Sequence, residues 1–231
     1  MPSLSVVADS VCDVIRVLVV DDDPMVRRLL RTILRPDDID VVAEAGDGDD
    51  AVTQTQAHHP DVVLMDLRMP RVDGIRATTL LRALPSPPGV IAMTSFDTES
   101  AILDAVHAGA DGFLAKDSSP EDIVAAVRAV ALGDGWLSAR AARTVMAQLN
   151  AHPVAAASRE AQQRLELLTD REVEIARAVT EGTSNAEIAR QLFVSEATVK
   201  THLARALDKL GMTSRVQLAV VVAKAGVESS V

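Results

Sequence analysis

VLVVDDDP, residues 17–24, carries the first decision about the fold. The apolar run from Arg16 to Val20 has the length of a buried strand, and it stops at Asp21, Asp22, Asp23 and Pro24. Pro24 suits the first turn of a helix, where its missing N–H removes no hydrogen bond. Val26, Leu29, Leu30, Ile33 and Leu34 then recur at i, i+3, i+4, i+7 and i+8, one face of that helix. Outward from this stretch the alternation repeats: strand near 40–44, helix 48–58, strand 61–65, helix 74–84, strand 89–93, helix 98–108, strand 112–115 and helix 120–132. Strands separated by single helices imply a five-stranded parallel sheet covered on both faces, a doubly wound α/β domain of about 120 residues.

In such a sheet, ligand chemistry belongs at the carboxyl ends of the strands. Those ends carry Asp21 and Asp22 (first strand), Asp66 (third), Thr94 (fourth) and Lys116 (fifth). Any one of them alone reads as a turn former or helix cap. Together, the carboxylates suit a hard dication such as Mg²⁺, while the hydroxyl and the ammonium suit an anion. A dication plus phosphoryl oxygens is the economical combination, with Asp66 as a nucleophile carrying an aspartyl phosphate. Gly46-Asp47-Gly48-Asp49-Asp50-Ala51 matches a dinucleotide-binding pattern, yet it follows the second strand and its three Asp would repel a pyrophosphate. A turn and helix cap explains it.

The chain has 231 residues, 48% hydrophobic and 24% charged, enough for two globular domains. Aromatic content of 2%, with no Tyr, argues against recognition of nucleic acid by base stacking. A single cysteine, Cys12, excludes an internal disulfide and a Cys-based zinc cage. Neither a signal peptide nor a membrane-length apolar run is evident, so the expected location is the cytoplasm. The net charge of -10 is uneven: residues 13–135 hold 22 acidic against 11 basic side chains, whereas residues 164–231 hold nine of each.

Beyond Gly133-Asp134-Gly135 the composition is that of a surface linker, 135–163, with one helix expected over 138–149. From Leu168 the pattern is all-helical. Thr169 with Glu172, and Ser184 with Glu187, form S/T-x-x-E boxes that start helices near 170 and 185. Ser195 caps a third helix and Thr213 a fourth. The short second helix, a tight turn and a longer third make a helix-turn-helix. Val199, Leu203, Ala206 and Leu210 share one face of the third helix, leaving Lys200, Thr201, Ala204, Arg205 and Asp208 largely elsewhere. Lys200 and Arg205 suit phosphates or guanine edges if this helix enters a major groove, and an ordinary solvated face otherwise. Zero net charge on this half predicts weak DNA binding by one copy, relieved by two copies on adjacent half-sites.

VLVVDDDP (17–24), VVLMDLRMPRVDG (62–74), IAMTSFD (91–97) and GFLAKD (112–117) resemble the receiver domain of bacterial response regulators, and 168–220 resembles the LuxR-type helix-turn-helix of the NarL/FixJ group. The resemblance implies a flavodoxin-like, CheY-like receiver at 14–134, a leader at 1–13, and a DNA-binding domain at 164–231. It implies phosphorylation of Asp66 and Mg²⁺ held by Asp21, Asp22, Asp66 and the backbone carbonyl of Arg68. Thr94 and Lys116 would contact the phosphoryl group, and Phe113 would stand at the aromatic switch position, without the hydroxyl of a Tyr. Asp23 adds a third carboxylate, read as facing solvent. On the DNA side, Lys200, Thr201, His202 and Ala204 match recognition-helix positions, with Thr198 and Lys209 near the backbone and Arg205 available to phosphate. Ala204 offers at most a thymine methyl contact, and His202 reads equally as a base reader or as a core or phosphate-proximal side chain. The last helix, about 214–225, would dimerise through Val216, Ala219 and Val222.

The implied partners are a sensor histidine kinase or small phosphodonor, double-stranded promoter DNA, a second copy of the chain once phosphorylated, and RNA polymerase; no membrane is expected. Two rivals remain in view. A phosphohydrolase would want a second acid two residues after Asp66, where Arg68 stands, so the chain is expected not to be an enzyme. A phosphorylation-independent regulator would use the receiver only as a dimerisation or ligand platform.

Overall fold

The computed structural model describes residues 14–94, 99–138, 141–145, 147 and 154–226, with backbone alone at 99 and 154–158. The leader 1–13, with Cys12, lies outside them. The N-terminal domain runs β1 (Ile15–Val20), α1 (Pro24–Ile33), β2 (Ile39–Ala45), α2 (Gly48–His58), β3 (Val62–Asp66), α3 (Gly74–Arg82), β4 (Gly89–Thr94), α4 (Glu99–Ala108), β5 (Gly112–Ala115) and α5 (Pro120–Ala131). All strand pairs are parallel, in the order β2-β1-β3-β4-β5-β6, where β6 (Trp136–Leu137) is a short addition beside β5. The expected five strands are therefore six, because the first residues of the expected linker pair with the sheet edge.

Alternation along the strands builds two cores. Val17 and Val19 of β1 join Leu64, Ile91 and Leu114 under α1 and α5, while Leu18 and Val20 join Val63, Met65 and Val90 under α2 and α3. Both faces are covered, which is why β1 and β3 read as unbroken apolar runs. On α1 the expected apolar stripe is narrower than its spacing suggests: Leu30 and Leu34 are buried, but Leu29 is 56% exposed. Register sets the site, since pairing Asp66 with Met93 and Thr94 with Ala115 brings Asp66, Thr94 and Lys116 to one sheet end.

The C-terminal domain comprises α6 (Val154–Leu165), α7 (Asp170–Thr180), α8 (Asn185–Gln191), α9 (Glu196–Leu210) and α10 (Arg215–Lys224). Both expected boxes are present: Thr169 and Ser184 accept from the N–H of Glu172 and Glu187, whose carboxylates accept the cap N–H in return. Ser195 caps α9. The cap of α10 is Ser214, one residue beyond the expected Thr213, and it forms a third box with Gln217. Val199, Leu203, Ala206 and Leu210 are buried together, as their spacing predicts.

Two parts of the expected linker belong to the domains instead. Residues 141–145 are helical, and Ala141 and Val145 are buried against Phe113 and α4. Helix α6 packs Ala161 and Leu165 into the C-terminal core, while Gln162 and Arg164 donate to the carbonyls of Ala225 and Leu210.

The domains meet at a polar seam. Arg215, 7% exposed, donates to Asp134 at 2.6 Å and to the carbonyls of Gly133 and Thr183. Asp134 also accepts the N–H of Asn185, whose side chain donates to the carbonyl of Leu132. Gln217 donates to the carbonyls of Val106 and His107 at the end of α4. Close approach requires glycine here: a Cβ on Gly109, whose φ is +96°, would lie 2.2 Å from the Thr213 hydroxyl.

Candidate functional site

The triplet Asp21, Asp22, Asp23 splits into three roles. Asp21, 1% exposed, faces inward and accepts the N–H of Asp23. Asp22 lies open to solvent, while Asp23 turns away to cap α1 by accepting from Met25 N–H at 2.8 Å. This assigns Asp23 to a helix end rather than to the pocket. Asp66 ends β3 almost fully buried, and one oxygen from each of Asp21, Asp22 and Asp66 falls within 4.8 Å of the others.

Lys116 extends from the end of β5 and bridges Asp21 at 2.5 Å and Asp66 at 3.1 Å. Burial pushes the Asp66 carboxyl above its usual range, more than Lys116 and the Arg68 N–H hold it down. Burial opposes the charge on Lys116, yet its bonds to Asp21 and Asp66 keep its ammonium above the ordinary value. Thr94, 1% exposed, completes the strand-end group. One ammonium against three carboxylates leaves a net negative, all-oxygen donor set, the chemistry that a hard dication requires. A groove of about 470 Å³, lined by Asp22, Arg68, Met69 and Asp73, opens beside it. The loop after β3 folds tightly back: a Cβ on Gly74 would lie 2.0 Å from the Asp66 carbonyl oxygen. Phe113 is buried with Ala92, Ile102, Ala105, Ala141 and Val216, so the expected switch ring packs in a cluster that reaches the C-terminal domain.

On α9, Lys200, Thr201, Ala204 and Arg205 are exposed, and Thr198 is half-buried with its N–H on the Ser195 hydroxyl. Thr201 returns its hydroxyl to the Ala197 carbonyl. His202 is half-buried, its Nδ1 enclosed without a hydrogen-bond partner among the described residues. Lys209 is committed elsewhere: it donates at 2.7 Å to Glu172, which is 3% exposed. The residues expected to dimerise are engaged within the single chain. Val216 is buried in the interdomain cluster, Val222 lies in its own domain's core, and Ala219 packs partly against that core. Lys200 lines a cleft of about 750 Å³ whose other walls are α/β-domain residues, among them His59, Asp61, Pro87, Asp111 and Asp134. Lys200 thus sits at the mouth of a cleft between the two domains while remaining open to solvent.

Sequence reasoning missed three features. The Asp134–Arg215 seam lies in a Gly-Asp-Gly whose composition suits a linker, the Lys209–Glu172 pair joins residues 37 apart, and Asp47, expected as part of a turn and helix cap, stands at the N-cap of α2 but spends its side chain on another loop. Asp47 is almost fully buried and accepts the N–H groups of Arg71 and Val72 at 3.1 and 3.0 Å.

An acidic, lysine-bridged pocket on a doubly wound domain, joined to a helix-turn-helix, defines a signal receiver coupled to a DNA-binding module. Residues 17–128 match the response regulator receiver domain family, and residues 166–222 match the luxR family of bacterial regulatory proteins. The chain is 38% identical over 186 residues to the uncharacterized transcriptional regulatory protein YxjL of Bacillus subtilis (strain 168), covering 79% of this chain and 83% of the relative. It is 38% identical over 183 residues to the DNA-binding transcriptional activator DevR/DosR of Mycobacterium tuberculosis (strain ATCC 25618 / H37Rv), covering 78% and 81%. The crystal structure of the response regulator ChrA of a heme-sensing two-component system, 40% identical, matches with a TM-score of 0.51 over 91% of this chain and 96% of that one. The chain belongs to the two-component response regulators of the NarL/FixJ group, which act as transcription factors through a LuxR-type helix-turn-helix. Its relatives are regulators, not enzymes.

Proposed function

We propose that Asp66 is the phosphoacceptor, that Mg²⁺ occupies the acidic pocket, and that phosphorylation frees α9 to bind promoter DNA. The observation that carries this reading is the bridge of Lys116 to Asp21 and Asp66 at the ends of three strands. Asp21, Asp22, Asp66 and the Arg68 carbonyl would hold the ion, which when bound supplies positive charge to the phosphoryl oxygens. An Asp66 oxygen attacks phosphorus on a phosphohistidine of a sensor kinase; the P–O bond forms, the P–N bond breaks, and its electron pair leaves with the imidazole, which takes up a proton. Lys116 then exchanges one carboxylate for a phosphoryl oxygen, and the Thr94 hydroxyl donates to another. Both neutralise charge that a buried aspartyl phosphate would otherwise leave uncompensated.

The packing of Val216 beside Phe113, and the cleft that Lys200 shares with the sheet domain, support a resting state in which the approach of DNA to α9 is hindered. Release would expose Lys200, Thr201, His202, Ala204 and Arg205 to a groove, with Thr198 at the backbone. Homodimerisation through α10 requires the same release, because Val216 is otherwise covered. No helix among the described residues is long and apolar enough to cross a membrane, and we assign the chain to the cytoplasm on its family.

The test is incubation of the chain and its Asp66→Asn variant with acetyl phosphate, with and without Mg²⁺, read by intact mass and sedimentation velocity. One added phosphoryl group that requires both Asp66 and Mg²⁺, with a shift toward dimer, is the expected result. Failure of the wild type to gain mass from either acetyl phosphate or a phosphorylated sensor kinase would favour the phosphorylation-independent reading.

A further inference from the structure

The Gly46-Asp47-Gly48 turn contacts the phosphorylation pocket's own loop. Residues 67–73 leave β3 after Asp66 and enter α3 at Gly74. Their start is tied to the sheet by Leu67 N–H on the Met93 carbonyl, and their end is closed by Gly74 N–H on the Leu67 carbonyl. Between these ties, Arg71 and Val72 donate their N–H groups to the two oxygens of Asp47, and Gly48 N–H returns a bond to the Val72 carbonyl at 3.2 Å. The fit leaves no slack: a Cβ on Gly48 would lie 2.5 Å from the Val72 carbonyl oxygen. The backbone bonds to Val72 and Arg71 outweigh burial and hold the Asp47 carboxyl down to about 2, so it remains an anion that accepts both.

We infer that Asp47 is a positioning residue for the pocket: its buried carboxylate fixes loop 67–73, and through it the Arg68 backbone that faces Asp66 and the Mg²⁺ position. This rests on the reading of Asp21, Asp22 and Asp66 as the Mg²⁺ site. The physical reason is economy of constraint. A loop without regular structure carries the Arg68 N–H that touches Asp66 and the carbonyl assigned to the ion, and its middle is held by one side chain from a different βα unit. Without Asp47, two part-buried N–H groups lose their acceptor and are released to turn toward water, loosening the middle of the loop. Outer-shell partners of metal ligands typically change affinity by about 10–100-fold when removed.

A merely structural turn would lower stability without changing the ion's affinity, and a merely electrostatic one would be matched by any nearby acid. Asp50 supplies the control, since it pairs with the Arg71 side chain from the exposed start of α2, whereas Asp49 and the Arg71 guanidinium also engage Asp47 itself. The experiment is calorimetric titration of Mg²⁺ into the full chain and its Asp47→Asn, Gly48→Ala and Asp50→Asn variants, with amide hydrogen exchange over 67–73. An Asn offers one acceptor oxygen and sets its own NH₂ against the second N–H. Expected is a Mg²⁺ dissociation constant raised about 10-fold in Asp47→Asn, with faster exchange at Arg71 and Val72. Gly48→Ala, which displaces Val72 while keeping Asp47, should weaken Mg²⁺ similarly and stands in if Asp47→Asn does not fold. Asp50→Asn should stay within about twofold of wild type, below the outer-shell range. Unchanged affinity in Asp47→Asn, or in Gly48→Ala if that is the folded variant, overturns the inference, and equal losses in Asp50→Asn overturn it in favour of electrostatics. Failure of the wild type itself to bind Mg²⁺ overturns the pocket assignment instead.

Discussion

Lys209 shows how one side chain acquires a role that its sequence neighbours do not announce. The family resemblance implies a place near the DNA backbone for it, yet its ammonium sits on Glu172, the capping-box residue of α7. Burial acts to raise the Glu172 carboxyl, but the Lys209 hydrogen bond and the Thr169 N–H outweigh it and hold the group below its ordinary range. A depressed carboxyl contributes stability that is present above its unfolded value and lost as pH falls through its folded one. Thermal melts of the full chain should therefore show the C-terminal transition falling as pH drops below the usual glutamate range, and Glu172→Gln should flatten that slope. Lys209→Ala leaves a buried carboxylate without its cation. A loss of about 1–2 kcal/mol is expected in urea unfolding of that domain, at the low end because Lys209 is partly open to water. The box at Thr169 and Glu172 was legible because it spans four consecutive residues. The Lys209 contact was not, because only tertiary packing sets a pair so far apart.

At the scale of elements, periodicity and caps located most boundaries. Helix α2, β5 and the starts of α7, α8 and α9 fall where turn chemistry and S/T-x-x-E spacing put them. What failed were segments whose burial depends on a neighbour. Trp136 and Leu137 become β6 only because β5 offers an unpaired edge, and α6 gains a buried face only from α10. Helix α1 gives the same lesson within one turn. Leu29 and Leu30 are equivalent to a pattern of apolar spacing, but only Leu30 meets the core formed with α5. Leu30→Ala should cost about 2–5 kcal/mol in urea unfolding of the receiver. Leu29→Lys should stay within about 0.5 kcal/mol of wild type. Comparable losses at both positions would mean that Leu29 is covered in solution.

For the whole molecule, the pocket's residues were legible and the arrangement of the domains was not. Strand-end position is fixed by the parallel topology, so Asp21, Asp66, Thr94 and Lys116 converge once the alternation is read. The seam is built from carbonyls and glycine-sized gaps at Gly109, Gly133 and Gly135, which leave no periodic signature. Its centre is Arg215, whose burial presses the guanidinium below its ordinary value against the opposing pull of Asp134. Removing Asp134 takes from the buried guanidinium the carboxylate it is bonded to, leaving it carbonyls and the more distant charge of Asp111, and takes the acceptor from Asn185 N–H. Both costs fall only on the packed state, so the equilibrium moves toward separated domains by their sum. About 1.4 kcal/mol of such bias changes the packed-to-open ratio tenfold. Asp134→Ala should accordingly raise the DNA affinity of the unphosphorylated chain about tenfold. By linkage it should shrink the further gain on phosphorylation by the same factor. Fluorescence anisotropy at fixed salt measures both, and small-angle scattering should show a larger radius of gyration for the variant. Asp117→Ala controls for charge, since it removes one exposed carboxylate from the same domain away from the seam. If Asp134→Ala and Asp117→Ala bind DNA alike, the repulsion between an acidic receiver and DNA, not the seam, sets the resting affinity.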